Sequence, residues 1–188
     1  MNLNQLKRAT VGLAMGAAAL TAGTAQAYEV TIDVAGIESR GEFGAAGNET
    51  RTLDLFAGAR ITGLAWSVDL STFGSSWLSE IGVDFSDGAA AGVSLFPGIG
   101  DNFSGTGTYS DSVDLEDQGL DFTVSSGRLF LEFFEFFDDF AGTGVNGQWT
   151  AGTLTVTYVP EPASFGLAAL ALLGAGVATR RRRQQALS

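Results

Sequence analysis

The chain has 188 residues and a formal net charge of −11, with no cysteine and no histidine. The missing thiols and imidazoles exclude Ser-His-Asp and Cys-His catalysis, thiolate metal sites and histidine-bound zinc or iron. Residues 28–159 hold four arginines against 20 acidic residues, a formal charge of −16. We therefore expect no nucleic-acid partner, because such binding requires Lys and Arg to neutralise phosphates.

The N-terminus has the three parts of a secretory signal peptide in the correct order. A basic pair, Lys7-Arg8, precedes the apolar, alanine-rich run 10–20, and Ala25-Gln26-Ala27 forms an A-x-A cleavage site. The apolar run is too short for a stable transmembrane helix, which needs about 20 residues. We predict a signal peptide over residues 1–27, export through the Sec translocon and a mature chain that begins at Tyr28.

The central residues alternate apolar and polar side chains with the period of two that marks half-buried strands. We predict strands at 28–34, 63–70, 77–85, 120–124 and 153–158, and weaker ones at 52–56, 91–96 and 112–115. Glycine-rich segments at 41–47, 87–92, 97–107 and 141–147 supply turns between them. About eight to ten short strands without an amphipathic helix predict an all-β fold, an antiparallel β-sandwich or jelly roll, over residues 28–159.

The phenylalanine-rich segment 128–137 is apolar at both strand parities. This pattern predicts either a central strand covered on both faces or a bulge that shifts the register. Such a segment carries a risk of aggregation. We interpret Glu132, Glu135, Asp138 and Asp139 as charges that limit it.

Clustered carboxylates provide candidates for a Ca²⁺ site, although the main expectation is that no metal or cofactor binds. Ca²⁺ takes six to eight oxygen ligands. The dense candidates are Asp111, Asp114, Asp117 and Asp121, with Glu116 among them. A second candidate is the Asp84-x-x-Asp87-Gly88 sequence, for which a solvated turn is the simpler interpretation.

Two features bear on sugar chemistry. Glu132 and Glu135 are the residue type that hydrolyses glycosides, but a separation of three places them on opposite faces of a regular strand. We therefore expect no enzyme. Trp66, Trp77 and Trp149 offer rings for sugar stacking, although tryptophans in strands more often belong to the core.

The C-terminus has the pattern of a membrane anchor preceded by a polar motif. Pro160-Glu161-Pro162 is followed by the apolar run Ala163–Thr179 and by Arg180, Arg181, Arg182 and Arg183. As a helix the run is roughly 25 Å long, and snorkelling arginines would extend it towards the bilayer core of about 30 Å. The four arginines are predicted to stop transfer and to stay cytoplasmic.

The sequence Val159-Pro160-Glu161-Pro162-Ala163-Ser164, the small-residue helix and the arginine cluster resemble the sorting signal of the PEP-CTERM family of exported bacterial proteins. The resemblance covers residues 160–188. It implies a Gram-negative host and processing near the motif by the membrane protease exosortase. It also implies transient anchoring in the inner membrane, followed by a location at the cell surface or in the extracellular matrix.

Proteins of this family are associated with exopolysaccharide, biofilm or floc, so the resemblance implies a structural or adhesive role there. The alternative is a calcium-dependent carbohydrate-binding module. A weaker resemblance, carried by Asp101-Asn102-Phe103-Ser104-Gly105-Thr106 and Asn146-Gly147-Gln148-Trp149-Thr150, is to jelly-roll domains of the proprotein-convertase P-domain type. It supports the sandwich class and implies no activity.

Overall fold

The computed structural model describes residues 26–140 and 144–160. The predicted signal peptide up to residue 25 and the predicted membrane helix 163–179 lie outside the described residues. Within the described ranges, no helix has the length and apolar character needed to cross a membrane. The first strand begins at Tyr28 and the last ends at Val159.

Ten strands follow one another along the described chain, with a 3-10 turn at Leu78–Glu80 and a one-turn helix α1 at Leu115–Gln118. The strands are β1 (Tyr28–Asp33), β2 (Ile37–Ser39), β3 (Glu49–Asp54), β4 (Ala59–Thr72), β5 (Ile81–Ser86), β6 (Gly92–Leu95), β7 (Thr106–Asp114), β8 (Phe122–Val124), β9 (Arg128–Glu135) and β10 (Gly147–Val159).

These strands pair antiparallel in two sheets. The first sheet has the order β1-β10-β4-β7, with β2 added to β10 and β8 added to β4. The second has the order β3-β9-β5-β6. Without the two short added strands, this is the two-sheet, eight-strand arrangement of a jelly roll. The prediction of an all-β fold of antiparallel sheets is confirmed.

The two sheets enclose one apolar core. Trp149 of the first sheet and Phe133 of the second meet edge to face, with ring centroids 5.4 Å apart. Neither side chain is exposed to solvent. Burying a large apolar side chain contributes about 1.5–3 kcal/mol, so this contact and its neighbours hold the sheets together. The core also includes Ile61, Leu70, Leu78, Ile81, Val83, Phe85, Leu129, Leu131, Leu154 and Val156.

The phenylalanine-rich segment forms β9, which lies between β3 and β5. Its register with both neighbours is continuous, so the bulge alternative is wrong and the central-strand alternative is confirmed. Leu131 and Phe133 face the core. On the outer face, Phe134 is only 4% exposed. The rings of Phe43 and Phe96 pack edge-on against it, each with its centroid 5.5 Å from the centroid of Phe134.

Several boundaries differ from the sequence prediction. The residues after Trp77 form a 3-10 turn, and β5 begins only at Ile81. The predicted strand 112–115 is the end of the longer β7, and it stops because Asp114 caps α1 by accepting from the backbone N–H of Glu116 and Asp117. The pattern did not predict β2, most of β7 or the first half of β10.

A bulge in β10 allows this long strand to stay paired with β4. The register shifts between Trp149 and Ala151, and Gly152 follows at φ 105°. A Cβ atom at Gly152 would overlap the backbone oxygen of Ser67 on β4. Glycine is therefore required here by both backbone conformation and close approach.

We expect Gly152→Ala to destabilise the domain more than Gly36→Ala. Gly36 also has a positive φ, of 85°, but a Cβ there meets nothing within 4 Å. The control should lose about 1–2 kcal/mol from the backbone alone, and Gly152→Ala about 1–3 kcal/mol more from the overlap. Urea unfolding measures both, and equal losses would contradict the close approach of β10 to β4.

Candidate functional site

A cleft opens where the two sheets diverge. Its borders are β6 and β7, the edge strands of the second and first sheets. Its volume is about 570 Å³, within the range of roughly 300–1,000 Å³ that is usual for ligand sites. We call it the edge cleft; it is lined by Leu64, Trp66, Val93, Ser94, Leu95, Phe96, Pro97, Ile99, Tyr109, Ser110, Asp111, Val113, Leu115 and Leu120.

The edge cleft combines aromatic surface with a carboxylate. Trp66 on β4 and Asp111 on β7 are direct register partners. Asp111 is exposed, and one of its oxygens accepts from the backbone N–H of Ser112 at 2.8 Å. The ring of Tyr109 adds to the lining, whereas Phe96 borders the cleft but packs its ring on the outer face against Phe134. The arrangement can therefore hold a ligand that has both apolar faces and hydroxyl groups.

The loop between β6 and β7 is fixed to the cleft by Tyr109. The Tyr109 hydroxyl donates to Asp101 Oδ2 at 2.7 Å. Burial, and then this hydrogen bond, raise the pKa of Tyr109 to about 12. The phenol therefore stays protonated at neutral pH and keeps donating, which holds the loop that contributes Pro97 and Ile99 to the lining.

Sequence reasoning named Trp66 and Asp111 but missed Tyr109 and Phe96. Tyr109 lies in the part of β7 whose alternating Thr and Ser side chains give no apolar stripe. The signal that would have found it is the run of β-favouring Thr and Tyr residues from Thr106 onwards. The sequence places Phe96 at the end of a weakly predicted strand and gives no indication of what it contacts.

The structure separates the dense set of calcium candidates. Asp111 lies in the edge cleft. Asp114 caps α1, because its side chain accepts hydrogen bonds from backbone N–H groups of the helix. Asp121 accepts from Arg60 Nη1 at 2.9 Å, and Arg60 also pairs with Glu116. Asp117 is exposed within α1. In the ranges that the structure covers, no three carboxylates form a group that could hold a metal ion.

The second calcium candidate has the geometry of a turn. Asp87 Oδ1 accepts from the backbone N–H groups of Ala89, Ala90 and Ala91 at 2.8, 3.1 and 3.2 Å. The hydrogen bond from Ala89, followed by those from the other amides, lowers the pKa of Asp87. Asp84 instead accepts from Ser94 Oγ at 2.8 Å. The two carboxylates therefore have separate partners.

The beginning and the end of the domain lie side by side. β1 starts at Tyr28, directly after Ala27, and Tyr28 is the register partner of Tyr158 on β10. Pro160 follows β10 immediately. We call this the tether end of the sandwich. The remaining predicted sorting and cleavage residues, Ala25, Glu161, Pro162, Arg180, Arg181, Arg182 and Arg183, lie outside the described residues.

Glu132 and Glu135 face opposite sides of β9, as predicted from their spacing. On the outer face, Glu132 Oε1 accepts from Asn48 Nδ2 at 2.7 Å and from the Gly44 N–H at 2.6 Å. Glu135 is fully buried, and its Oε2 accepts from Ser76 Oγ at 3.3 Å. The interpretation of Glu135 as a surface charge that limits aggregation is therefore wrong.

Burial is the main cause that raises the pKa of Glu135 to about 9, and the negative charges of Glu80, Asp139 and Asp138 add to it. The side chain is thus a neutral carboxylic acid at pH 7. An ionised carboxylate would be costly there because an unpaired buried charge loses its hydration.

We expect Glu135→Gln to make stability less dependent on pH. The folded protein retains the Glu135 proton up to about pH 9, whereas the unfolded chain releases it near the ordinary pKa of about 4.3. The contribution of Glu135 to the free energy of unfolding is therefore fully present below the unfolded-state pKa. It is lost as pH rises towards the folded-state pKa, by at most about 1.4 kcal/mol per pH unit. Urea unfolding at pH 5, 7 and 9 should show the variant gaining on the wild type, and a constant difference would contradict a buried neutral acid.

Comparison with known proteins gives a local match at the tether end. Residues 159–183 match the family model of the PEP-CTERM protein-sorting motif. No curated protein matches the sequence. The match begins at the last residue of β10, so the motif starts where the folded domain stops. The chain therefore carries the PEP-CTERM sorting motif, which implies an extracellular protein that is exported and sorted in association with a membrane, with an exosortase as its processing partner.

Proposed function

We propose that this protein is a non-enzymatic, adhesive component of the extracellular matrix and that its edge cleft binds a neutral polysaccharide chain. The observation that carries the proposal is the position of Asp111 opposite Trp66 in a mainly apolar cleft of about 570 Å³. A ligand for this cleft must combine apolar faces with hydroxyl groups, and pyranose rings do so.

The chemistry of the cleft suits sugar rings. The faces of Trp66 and Tyr109 provide flat apolar surface against which the C–H face of a pyranose can pack. Asp111 can accept from sugar hydroxyls through its exposed carboxylate. A hydrogen bond to a charged group contributes about 1.5–3 kcal/mol, so Asp111 would orient the chain.

The charge of the domain favours a neutral glycan over an acidic one. Residues 28–159 carry a formal charge of −16. A polyanionic polysaccharide would be repelled by this field at low salt, and less so once the Debye length falls to about 8 Å at physiological ionic strength. The repulsion does not act on uncharged chains.

The position of the tether is compatible with binding in the cleft. The sorting segment continues from β10, which is separated from β7 by β4. Neither of the strands that border the cleft leads directly into the anchor. A protein held through its C-terminus therefore keeps the edge cleft accessible to a polymer in the surrounding matrix.

The anchoring route belongs to the same proposal. The signal peptide 1–27 directs the chain to the Sec translocon, the helix 163–179 anchors it in the inner membrane of a Gram-negative cell, and Arg180–Arg183 stop its transfer. Exosortase then processes the chain near Pro160-Glu161-Pro162 and releases the domain to the surface. The motif match supports this route at residues 159–183.

The binding test uses soluble dextran and hydroxyethyl cellulose as neutral probes and alginate as the acidic one, in affinity gel electrophoresis. We expect at least one neutral glucan, and not alginate, to retard the protein. Trp66→Leu should abolish the retardation because the stacking surface is lost. Asp111→Asn should weaken binding about tenfold, which corresponds to about 1.4 kcal/mol.

The matched control is Trp77→Leu, because Trp77 is 44% exposed and does not line the edge cleft. Circular dichroism checks that each variant is folded. Unchanged retardation of both cleft variants, or no retardation by either neutral glucan, would contradict the proposal. The same gels with EDTA or with millimolar CaCl₂ test the alternative of a calcium-dependent carbohydrate-binding module, which predicts binding only with calcium.

The sorting test replaces Pro160 and Pro162 together by alanine. Alanine removes the stiff, extended break between the domain and the anchor. We expect the variant to accumulate in the inner membrane of a host that has an exosortase, whereas the wild type is released. Fractionation and immunoblotting measure the distribution, and normal release of the double variant would contradict processing through this motif.

A further inference from the structure

Three aromatic rings pack together at the tether end, and we call them the tether cluster. Tyr28 and Phe56 meet edge to face at 5.4 Å, Tyr28 and Tyr158 stack at 5.9 Å, and Phe56 lies 6.2 Å from Tyr158. Phe56 is 50% exposed and Tyr28 is 39% exposed. The cluster therefore presents aromatic surface to the outside of the domain.

The three residues come from separate parts of the chain. Tyr28 and Tyr158 are cross-strand partners on β1 and β10, and Phe56 lies in the loop between β3 and β4. A cross-strand pair stabilises the sheet, which accounts for the two tyrosines. It does not account for a half-exposed phenylalanine placed beside them, because Phe56 gains little from burial.

The position of the cluster along the chain indicates what covers it. The apolar run begins at Ala163, five residues after Tyr158. An extended chain of that length spans at most about 18 Å. The polar layer on each side of the bilayer core is about 5–8 Å thick. The anchor therefore holds the tether cluster within reach of the membrane interface.

We propose that the tether cluster is a membrane-contact surface that lies in the outer interface of the inner membrane while the chain is anchored. This inference rests on the membrane anchor of the proposed function. Tyrosine is enriched at membrane interfaces because its ring is apolar and its hydroxyl is polar. The Phe56 ring can enter the acyl boundary beside Tyr28 and Tyr158.

The charges beside the tether cluster determine which kind of lipid headgroup it can contact. Glu29 is exposed next to Tyr28, and Asp54 is exposed at the end of β3, two residues before Phe56. Arg128 is the register partner of Asp54, and Arg60 is the register partner of Val159, so the charges at this end are mixed and give no attraction to an anionic lipid surface. The contact therefore suits zwitterionic phospholipid and depends on aromatic insertion rather than on basic residues.

The contact would fix the distance between the sorting motif and the bilayer. Pro160 follows the strand that carries Tyr158, so a domain resting on its tether cluster holds the motif at the membrane surface. A protease embedded in the same membrane then finds the motif at a fixed height above the bilayer. Part of the translational and rotational freedom that the domain loses on binding the protease is therefore already lost before the two meet.

The test exploits the absence of cysteine from the chain. Ala57→Cys and Ser104→Cys each introduce one thiol at an exposed site, the first beside the tether cluster and the second in the loop before β7 at the opposite end. Each variant of the predicted mature chain, residues 28–188, is labelled with a fluorophore and reconstituted into phosphatidylcholine vesicles that contain a lipid with a nitroxide-labelled headgroup. We expect quenching of the label in the Ala57→Cys variant to exceed quenching in the Ser104→Cys variant at least threefold.

A second substitution tests the cluster itself. Phe56→Ser in the Ala57→Cys background should reduce the quenching by half or more. Phe103→Ser, which removes a phenylalanine of similar exposure (53%), should leave quenching in the Ser104→Cys background unchanged. Equal quenching of the two labelled variants, or no effect of Phe56→Ser, would overturn the inference.

Flotation of the same vesicles separates this inference from the proposed anchor. Protein that does not float with the vesicles shows that the anchor has failed, and the inference fails with it. Protein that floats but is quenched equally at both sites leaves the anchor intact and overturns the membrane contact alone.

Discussion

The pairing of β10 with β1 and β4 is the constraint on which the rest of the molecule depends. This strand of 13 residues joins the first strand of the domain to its longest one and places Trp149 against Phe133 between the sheets. It also ends where the sorting motif begins. One strand, β10, therefore determines both the packing of the core and the position of the sorting motif. The bulge at Gly152 keeps β10 in register with β4.

The same constraint gives the tether end and the β6–β7 edge of the sandwich different surfaces. The tether end has a compact aromatic cluster next to the start of the sorting motif. The edge cleft lies between β6 and β7, away from β1 and β10 in strand order. In the function proposed above, the domain is sorted through one surface and binds through another, so the same fold serves before and after release. Function on such a scaffold depends on the sites, since the jelly-roll arrangement itself supports many roles.

The amount that could be predicted from sequence varied with how local the signal was. Tyr28–Val34 and Thr153–Tyr158 alternate strictly, so the prediction located β1 and the second half of β10. β7 was largely missed because it is an edge strand whose Thr and Ser side chains lack apolar alternation. The sorting motif could be predicted from sequence because its parts are contiguous. The edge cleft could not be predicted, because the β4–β7 register brings together Trp66 and Asp111, which are 45 positions apart in the chain.

The adjacency of Tyr28 and Tyr158 has a consequence for biogenesis. The first sheet cannot be completed until its last strand has emerged on the far side of the membrane, because β1 forms its backbone hydrogen bonds with β10. Contacts between such distant parts of a chain form slowly. A polypeptide threaded through a narrow channel benefits from that delay, because it remains unfolded while it is being transported. Closure of the domain thus coincides with the emergence of the sorting motif that follows β10.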